Sequence, residues 1–489
     1  MINSELVVFI IYLAAMLGIG VVFFFTSKGG EKEYFLGGRQ MGPWVSAFSA
    51  GASDMSAWVL MGLPASIYAY GMGQTWIAIG LAVGYILSWV LVAPRLRRFS
   101  IVANDSITLP QYLTNRFLSK SKALQVICAV IFLFAYAIYA ASSIKACGTL
   151  FNTVLGINEV VAMYVAAVII IVYTFLGGFK AVCWTDFFQG LLMLGALMLV
   201  PIFALGLQNA GGVGVAVFPE NFWNFLSSGK LDWSSWADIL SGFGWGLGYF
   251  GMPHIIIRYM AIRSQKEVKK SAAIGISWNL LILVFAVLTA CAGRLYLGEI
   301  SDSSVVFISM ARAIFPPVIS GVLLSAILAA AMSTADSQLL ASASAFAADV
   351  YKPVLRKNAP EKEMYWAGRV VVAVIAVAAV LIAGNPNSGT IMGLVGNAWG
   401  VFGAAFGPVI LLSLFWKRLT FVGAVAGIVV GAAVDVLWLA VPVLSGTGLY
   451  EIIPGFVLGL AATVAVTLAG KSPSKEVEEL FEQSVATLD

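Results

Sequence analysis

The chain has 489 residues, 60% of them hydrophobic and 11% charged, where a soluble globular protein carries about 25% charged residues. A string of soluble domains is excluded, because apolar runs of about twenty residues, each long enough to cross roughly 30 Å of hydrocarbon, recur along nearly the whole length. The formal net charge of +4 is small, and where the charges fall says more than their sum.

The chain opens on Met1-Ile2-Asn3-Ser4-Glu5, with no basic stretch ahead of its first apolar run. That run is long enough to span and lacks a small-residue cleavage pattern, so a retained helix is expected and not a signal peptide. Apolar runs and their interruptions give about thirteen spans. They lie near 5–26, 43–70, 73–94, 123–148, 158–177, 185–208, 235–260, 270–293, 314–349, 365–384, 388–416, 420–441 and 452–470. With the N-terminus outside, the cytoplasmic loops are 27–42, 95–122, 178–184, 258–270, 350–369, 417–419 and the tail. These loops hold 24 of the 28 Lys and Arg, the excess that the positive-inside rule predicts. Only Lys145, Lys230, Arg294 and Arg312 fall elsewhere. The polar tail after Gly470, with Glu476, Glu478, Glu479 and Glu482, is expected to be a short helix or disordered, and it carries no assigned function.

A helix facing lipid has every reason to stay regular, since each unpaired backbone group in hydrocarbon costs several kcal/mol. Two spans nevertheless look broken. The second carries Ser49-Ala50-Gly51-Ala52-Ser53-Asp54-Met55-Ser56-Ala57-Trp58, small residues around an ionisable carboxyl. The seventh carries Gly244-Trp245-Gly246-Leu247-Gly248-Tyr249-Phe250-Gly251-Met252-Pro253, four glycines followed by a proline that cannot donate to the helix ladder. Close helix packing explains small-residue runs in general. Here the two breaks lie at similar depth in spans five elements apart, the pattern of an inverted-repeat transporter with a site at the midplane. The repeats would be spans two to six and seven to eleven.

A third region, Leu324 to Gln338 in the ninth span, places Ser333, Thr334, Asp336 and Ser337 within about one helical turn. Na⁺ favours oxygen ligands, and freed carbonyls with Ser and Thr hydroxyls supply them without excess charge. Hydroxyls bonding back to the preceding turn are common, but that reading leaves the intramembrane carboxylate Asp336 unexplained.

At these residues the chain resembles the sodium/solute symporter family, most closely its proline-transporting branch. The matching stretches are Gly51-Ala-Ser-Asp-Met-Ser56, Trp184-Thr-Asp186, Trp245-Gly-Leu-Gly-Tyr-Phe-Gly251 with Pro253-His254, and Ala330-Ala-Met-Ser-Thr334. Leu36-Gly-Gly-Arg39 and Tyr450-Glu-Ile-Ile-Pro-Gly455 match too. The resemblance implies an all-α polytopic membrane protein of about 13 helices with a 5+5 inverted-repeat (LeuT-like) core, one helix before it and two after. The expected divisions are 1–42, 43–208, 235–416, 417–470 and a tail over 471–489. It also implies a Na⁺ site between the second and ninth spans, with carbonyls from Ala52, Met55 and Ala330 and hydroxyls from Ser333 and Thr334. Asp54 matches a residue linked to sodium binding, by orienting the broken loop and not by direct ligation, and Asp186 and Arg39 match positions linked to cytoplasmic gating and ion release. Asp336 departs from the branch, where a hydroxyl residue can stand. With Asp186 and Ser337 it outlines a second candidate cation or ion-release site.

The substrate-facing candidates are Ser53, Ser56, Tyr139, Trp245, Tyr249 and Pro253. A zwitterion with an apolar ring, such as L-proline, would pack on Trp245 and Tyr249 and turn its carboxylate to a half-helix N-terminus. His254, the only histidine, is expected to be neutral and hydrogen-bonded near the cytoplasmic end. The expected activity is Na⁺-driven uptake of L-proline by alternating access in a bacterial inner membrane, N-terminus outside and C-terminus cytoplasmic. Na⁺ and proline are the ligands and lipid the surroundings, with no nucleic acid and no obligate protein partner. A family member taking pantothenate, a sugar, sialic acid or another amino acid is the alternative, and a channel a more distant one. An enzyme is disfavoured. One histidine and four scattered cysteines (Cys128, Cys147, Cys183, Cys291) offer no ligand cluster, and no G-x-S-x-G elbow occurs. Ala465 to Ser472 resembles a phosphate-binding loop, but alanine replaces its first glycine.

Overall fold

The computed structural model describes residues 3–26, 31–176, 178–209 and 218–486. The parts of the expected leading segment, the 27–42 loop, the 158–177 span and the tail that fall on 1–2, 27–30, 177 and 487–489 lie outside the described residues. Among those described, the one β pairing is an isolated bridge between Met41 and Ile262. Everything else that is regular is helical. The helices that matter here begin with α1 (Ser4–Thr26), α2 (Pro43–Asp54), α3 (Leu63–Tyr70), α4 (Met72–Val102), α5 (Leu109–Arg116), α6 (Ala123–Leu155), α7 (Glu159–Leu176) and α8 (Phe179–Asn209). They continue with α9 (Trp233–Leu247), α10 (Pro253–Ala261), α11 (Val268–Leu297), α12 (Pro317–Ser344), α13 (Glu361–Ala383), α14 (Ile391–Phe415), α15 (Phe421–Ala440), α16 (Ile452–Ala469) and α17 (Lys475–Val485).

Among the described residues, ten helices are long and apolar enough to cross a membrane. The expectation of about thirteen also counts α7 and the two interrupted segments. Most helix ends fall within a few residues of the positions that apolar runs suggest. The clearest difference is α4, which runs to Val102 and not to 94. The charges that suggest an earlier end are accommodated on the protein side: Arg95 donates to the Leu414 carbonyl at 3.0 Å and lies 4.1 Å over the Phe415 ring. The stem of an arginine can cover apolar surface while its head finds carbonyls.

Both expected breaks are present. Helix α2 stops at Asp54, Met55 leaves helical geometry (φ −79°, ψ 72°), and a wide turn over Trp58–Gly62 leads into α3. Helix α9 tightens over Gly248–Phe250, and Met252 is extended (φ −77°, ψ 106°). Pro253 then starts α10, where its missing N–H is not needed by the helix. Helix α12 runs unbroken past Ser333–Gln338 and is the most deeply buried of the ten. It packs on α1, α2 and α8. Helices α14, α15 and α16 pack closely on one another, and α14 also packs on α6.

Glycine pairs let α4 and α9 touch through their backbones, since a Cβ on Gly80 or Gly84 would overlap Gly242 or Gly246. This backbone approach is the small-residue packing that stands in for the hydrophobic effect between membrane helices. Gly84→Leu is expected to lower the thermal unfolding midpoint of the purified protein, since overpacking costs about 1–3 kcal/mol. Gly195→Leu, where a side chain meets nothing within 4 Å, should leave the midpoint unchanged.

Candidate functional site

The candidate cation residues come from α2 and α12. Ser333 Oγ lies 2.8 Å from the Ala52 carbonyl and 3.2 Å from the Ala330 carbonyl, and Thr334 Oγ1 lies 3.4 Å from Ala52 O. Four of the five expected oxygens are therefore gathered around one point, with the hydroxyls donating to the carbonyls. Met55, the fifth, follows directly on the break; its N–H donates to Gly51 O at 2.8 Å. All five residues are buried. The break explains the geometry: a helix that ends at Asp54 frees its last carbonyls, and Ser333 and Thr334 on the neighbouring helix take one of them.

The two interrupted segments are joined by three rungs. Tyr249 Oη donates to Asp54 Oδ2 at 2.6 Å, His254 Nε2 is 3.1 Å from Ser53 O, and Arg258 Nε donates to Ser49 Oγ at 3.0 Å. The order 249, 254, 258 against 54, 53, 49 makes the segments antiparallel where they meet. His254 also lies 3.2 Å from Tyr136 Oη through Nδ1, and its backbone N–H donates to the same oxygen at 3.0 Å. It sits at the start of α10 against the broken second span, not at a cytoplasmic end as the sequence suggests.

Of the expected solute residues, Tyr249 is itself a rung and Tyr139 reaches the same break. Tyr139 Oη donates to Asp54 O at 3.4 Å, and Trp58 Nε1 does the same at 3.4 Å. Ser53 Oγ turns back to Ala50 O at 3.3 Å, while Ser56 Oγ is 3.5 Å from the Trp58 N–H. Pro253 is buried at the head of α10. Trp245 stacks on Tyr450 at 5.0 Å and approaches Trp58 and Trp399 at 6.4 and 6.3 Å. The Trp399 indole N–H donates to the Trp245 carbonyl at 2.7 Å, and its ring meets Tyr249 edge-on at 5.1 Å. Trp58, Trp399 and Tyr450 thus complete an aromatic wall of which sequence reasoning names Trp245 and Tyr249. Their signal was weak, because single aromatics in apolar spans are common.

Asp186 and Ser337 are joined by Arg258, which sequence reasoning counts as a loop residue. Its guanidinium is buried, lies 3.1 Å from Asp186 Oδ2 and 2.5 Å from Ser337 Oγ, and also donates to the His254 carbonyl. Ser49 Oγ donates to the same Asp186 oxygen at 2.6 Å, and Ser337 Oγ to Asp336 Oδ1 at 3.2 Å. Arg39 stands apart from this cluster. It reaches Asp105 at 2.9 Å, Met260 O at 2.6 Å, Ser106 O at 2.7 Å and Ser100 Oγ at 3.0 Å, clasping the connection after α4 to the end of α10.

The fold has counterparts among solved structures. A Na⁺-coupled sialic acid symporter in a substrate-bound, outward-open state aligns with TM-score 0.79 at 20% identity, covering 96% of this chain and 99% of that one. A nucleobase-cation-symport-1 family transporter in a closed conformation aligns with TM-score 0.57 at 13% identity, covering 92% and 97%. The fold is that of an all-α, LeuT-like secondary transporter. The chain belongs to the sodium:solute symporter family, whose model matches residues 34–431. Curated relatives include an osmoregulated proline transporter of Bacillus subtilis, 42% identical over 475 residues and covering 96% of each chain. A high-affinity proline transporter of the same organism is 43% identical, covering 95% of this chain and 98% of its own. The sodium/proline symporter of Escherichia coli is 42% identical over 489 residues, covering 98% and 96%. The chain is thus a multi-pass membrane transporter coupled to Na⁺, and not an enzyme.

Arg258→Met strands the buried Asp186 carboxylate and should destabilise the purified protein by about 3–5 kcal/mol. The double variant with Asp186→Asn should recover part of that loss in thermal unfolding. At Asp105, burial alone would raise the carboxyl's pKa, but Lys32 and Arg39 donate to it and hold it below the usual carboxylate range. A depressed carboxylate contributes at neutral pH and loses its contribution as pH falls through its folded value. Hydrogen exchange over residues 100–108, corrected for intrinsic rates, should stay flat from pH 7 to 5. It should accelerate only below the ordinary aspartate value of about 4.

Proposed function

We propose that this transporter couples Na⁺ influx to uptake of L-proline by alternating access. The observation that supports the reading best is the meeting of Ser333 and Thr334 with the Ala52 carbonyl, freed where α2 breaks. Oxygens from Ala52, Met55, Ala330, Ser333 and Thr334 would take Na⁺ once the two hydroxyls rotate their protons away. The ion would then hold α2 against α12. Because Asp54 at the end of α2 is bonded to Tyr249, fixing α2 also fixes the aromatic side of the site. Solute therefore binds tightly only with the cation present, and the coupling is reciprocal.

Proline fits that side by its chemistry. Its ring would lie against Trp245 and Tyr249, which also attract its ammonium. Ser53, Ser56, Tyr139 and Pro253 would border it, and the carboxylate would face the N-terminal end of a half-helix. The names of the relatives favour the same solute. The membrane potential would add about 2.3 kcal/mol per charge per 100 mV.

Arg258 already supplies a positive charge to Asp186 and Ser337, which favours one Na⁺ per proline over a second ion beside Asp336. Asp186 and Arg39 would then serve in ion release and gating. The core repeats are assigned to 43–208 and 235–416, with 1–42 before them and 417–470 and the tail after. The basic loops favour a cytoplasmic C-terminus and an outside N-terminus, and the protein would work in a bacterial inner membrane with lipid and no obligate protein partner around it.

In proteoliposomes, Na⁺ should raise proline affinity, and Ser333→Ala or Thr334→Ala should raise the half-saturating Na⁺ concentration about tenfold or more. Proline uptake unchanged on removing Na⁺ would sink the mechanism. A screen of solutes for Na⁺-dependent thermal stabilisation tests the substrate. Success with another solute and failure with proline would leave the coupling intact and overturn the substrate. The ratio of ²²Na⁺ to proline flux should be one.

A further inference from the structure

Beyond Tyr450, which belongs to the aromatic wall, the stretch Tyr450-Glu451-Ile452-Ile453-Pro454-Gly455 has no part in the mechanism above, yet it brings a carboxylate against that wall. Glu451 directly precedes α16 and is 8% exposed. Asp435, near the end of α15, is fully buried, and neither of its carboxylate oxygens has a hydrogen-bond partner. Both face Gly400 of α14. A Cβ there would sit 2.7 Å from Asp435 Oδ1 and 3.4 Å from Glu451 Oε1. The two oxygens therefore lie within about 6 Å, close enough for each charge to disfavour the other.

Among the described residues neither carboxylate is in an ion pair, and Lys145 of α6, which packs on α14, donates instead to Ser388 Oγ and the Gly389 carbonyl. Asp435 is the only charged residue in α14, α15 and α16. Helix α9, which also packs on α16, carries only another acid, Asp238. The titratable group that lies beside both carboxylates is Tyr450. Two ionised carboxylates without a partner cost several kcal/mol in such a place, so the arrangement is complete only with a positive charge. One turn before Gly400, Gly396 touches Trp245 at 3.5 Å (again from a Cβ placed there), and its carbonyl accepts from Tyr450 Oη at 2.7 Å.

We propose that Asp435 and Glu451 form a cation site of their own, taking one monovalent cation, a proton or Na⁺, and that its occupancy sets the stacking of Tyr450 on Trp245. The effect on solute rests on the proline reading above, whereas the cation site does not. The full-length protein in nanodiscs tests it, with Asp435→Asn and Glu451→Gln, which mimic the neutral pair. If the ion is Na⁺, bound ²²Na⁺ per protein falls by one in both variants, and a second ion is still counted in Ser333→Ala. If it is a proton, the ²²Na⁺ count stays the same. Proline affinity at saturating Na⁺ then changes at least threefold between pH 5 and 9 in the wild type and becomes flat in both variants. The unfolding midpoint follows the same pattern, which keeps the test independent of the solute. Variants that match the wild type in ion count and in both pH profiles overturn the proposal. Should Asp435→Asn fail to fold, Glu451→Gln, at the rim of the pair, carries the same comparison.

Discussion

A backbone carbonyl inside hydrocarbon must be taken by something, and this one requirement organises the centre of the molecule. Helix α2 ends in mid-membrane, and the Ala52 carbonyl it releases meets the hydroxyls of Ser333 and Thr334. Without that partner, breaking the helix would cost several kcal/mol for each unpaired group. With it, the carbonyl is satisfied inside the protein by two hydroxyls. The deep burial of α12 follows, because a helix that serves a neighbour's backbone has to be enclosed with it.

Charge is handled by a different economy. Arg258 is enclosed by Asp186, Ser49, Ser337 and the His254 carbonyl, so a residue of the half-helix α10 reaches both α8 and α12. Arg39 and Asp105 show the same pairing at the end where the basic loops lie, but there the acid remains partly open to solvent. The tail behaves similarly. Helix α17 buries Val477 and Phe481 against the protein and ties its acids to Lys417.

Much of this could be read from residues alone. The apolar runs locate the helices, and glycine with proline in Gly244–Pro253 locates one break as surely as Ser49–Ser56 locates the other. The cluster Ser333–Thr334 is legible because hydroxyls and a carboxylate within one turn have no reason to be in lipid. Arg258 is not, because an arginine just past an apolar run reads as a loop charge until its partners from three other helices are seen. The same holds for Trp399 and Tyr450, whose meaning lies in their distance to Trp245 and not in their own neighbourhood. Pattern along the chain reports what a segment is. Pairing between segments 100 or more residues apart, such as Tyr249 with Asp54, is set by tertiary packing, which local pattern does not encode.

The three rungs between α2 and the segment Tyr249–Arg258 fix more than position. Because they occur at successive levels along two antiparallel pieces, sliding one piece past the other by a single turn would break all of them together. The pair therefore has the mechanics of a keyed shaft: free to tilt as a unit, resistant to shear and to independent twist. Any motion that keeps the three rungs has to carry both half-helices together.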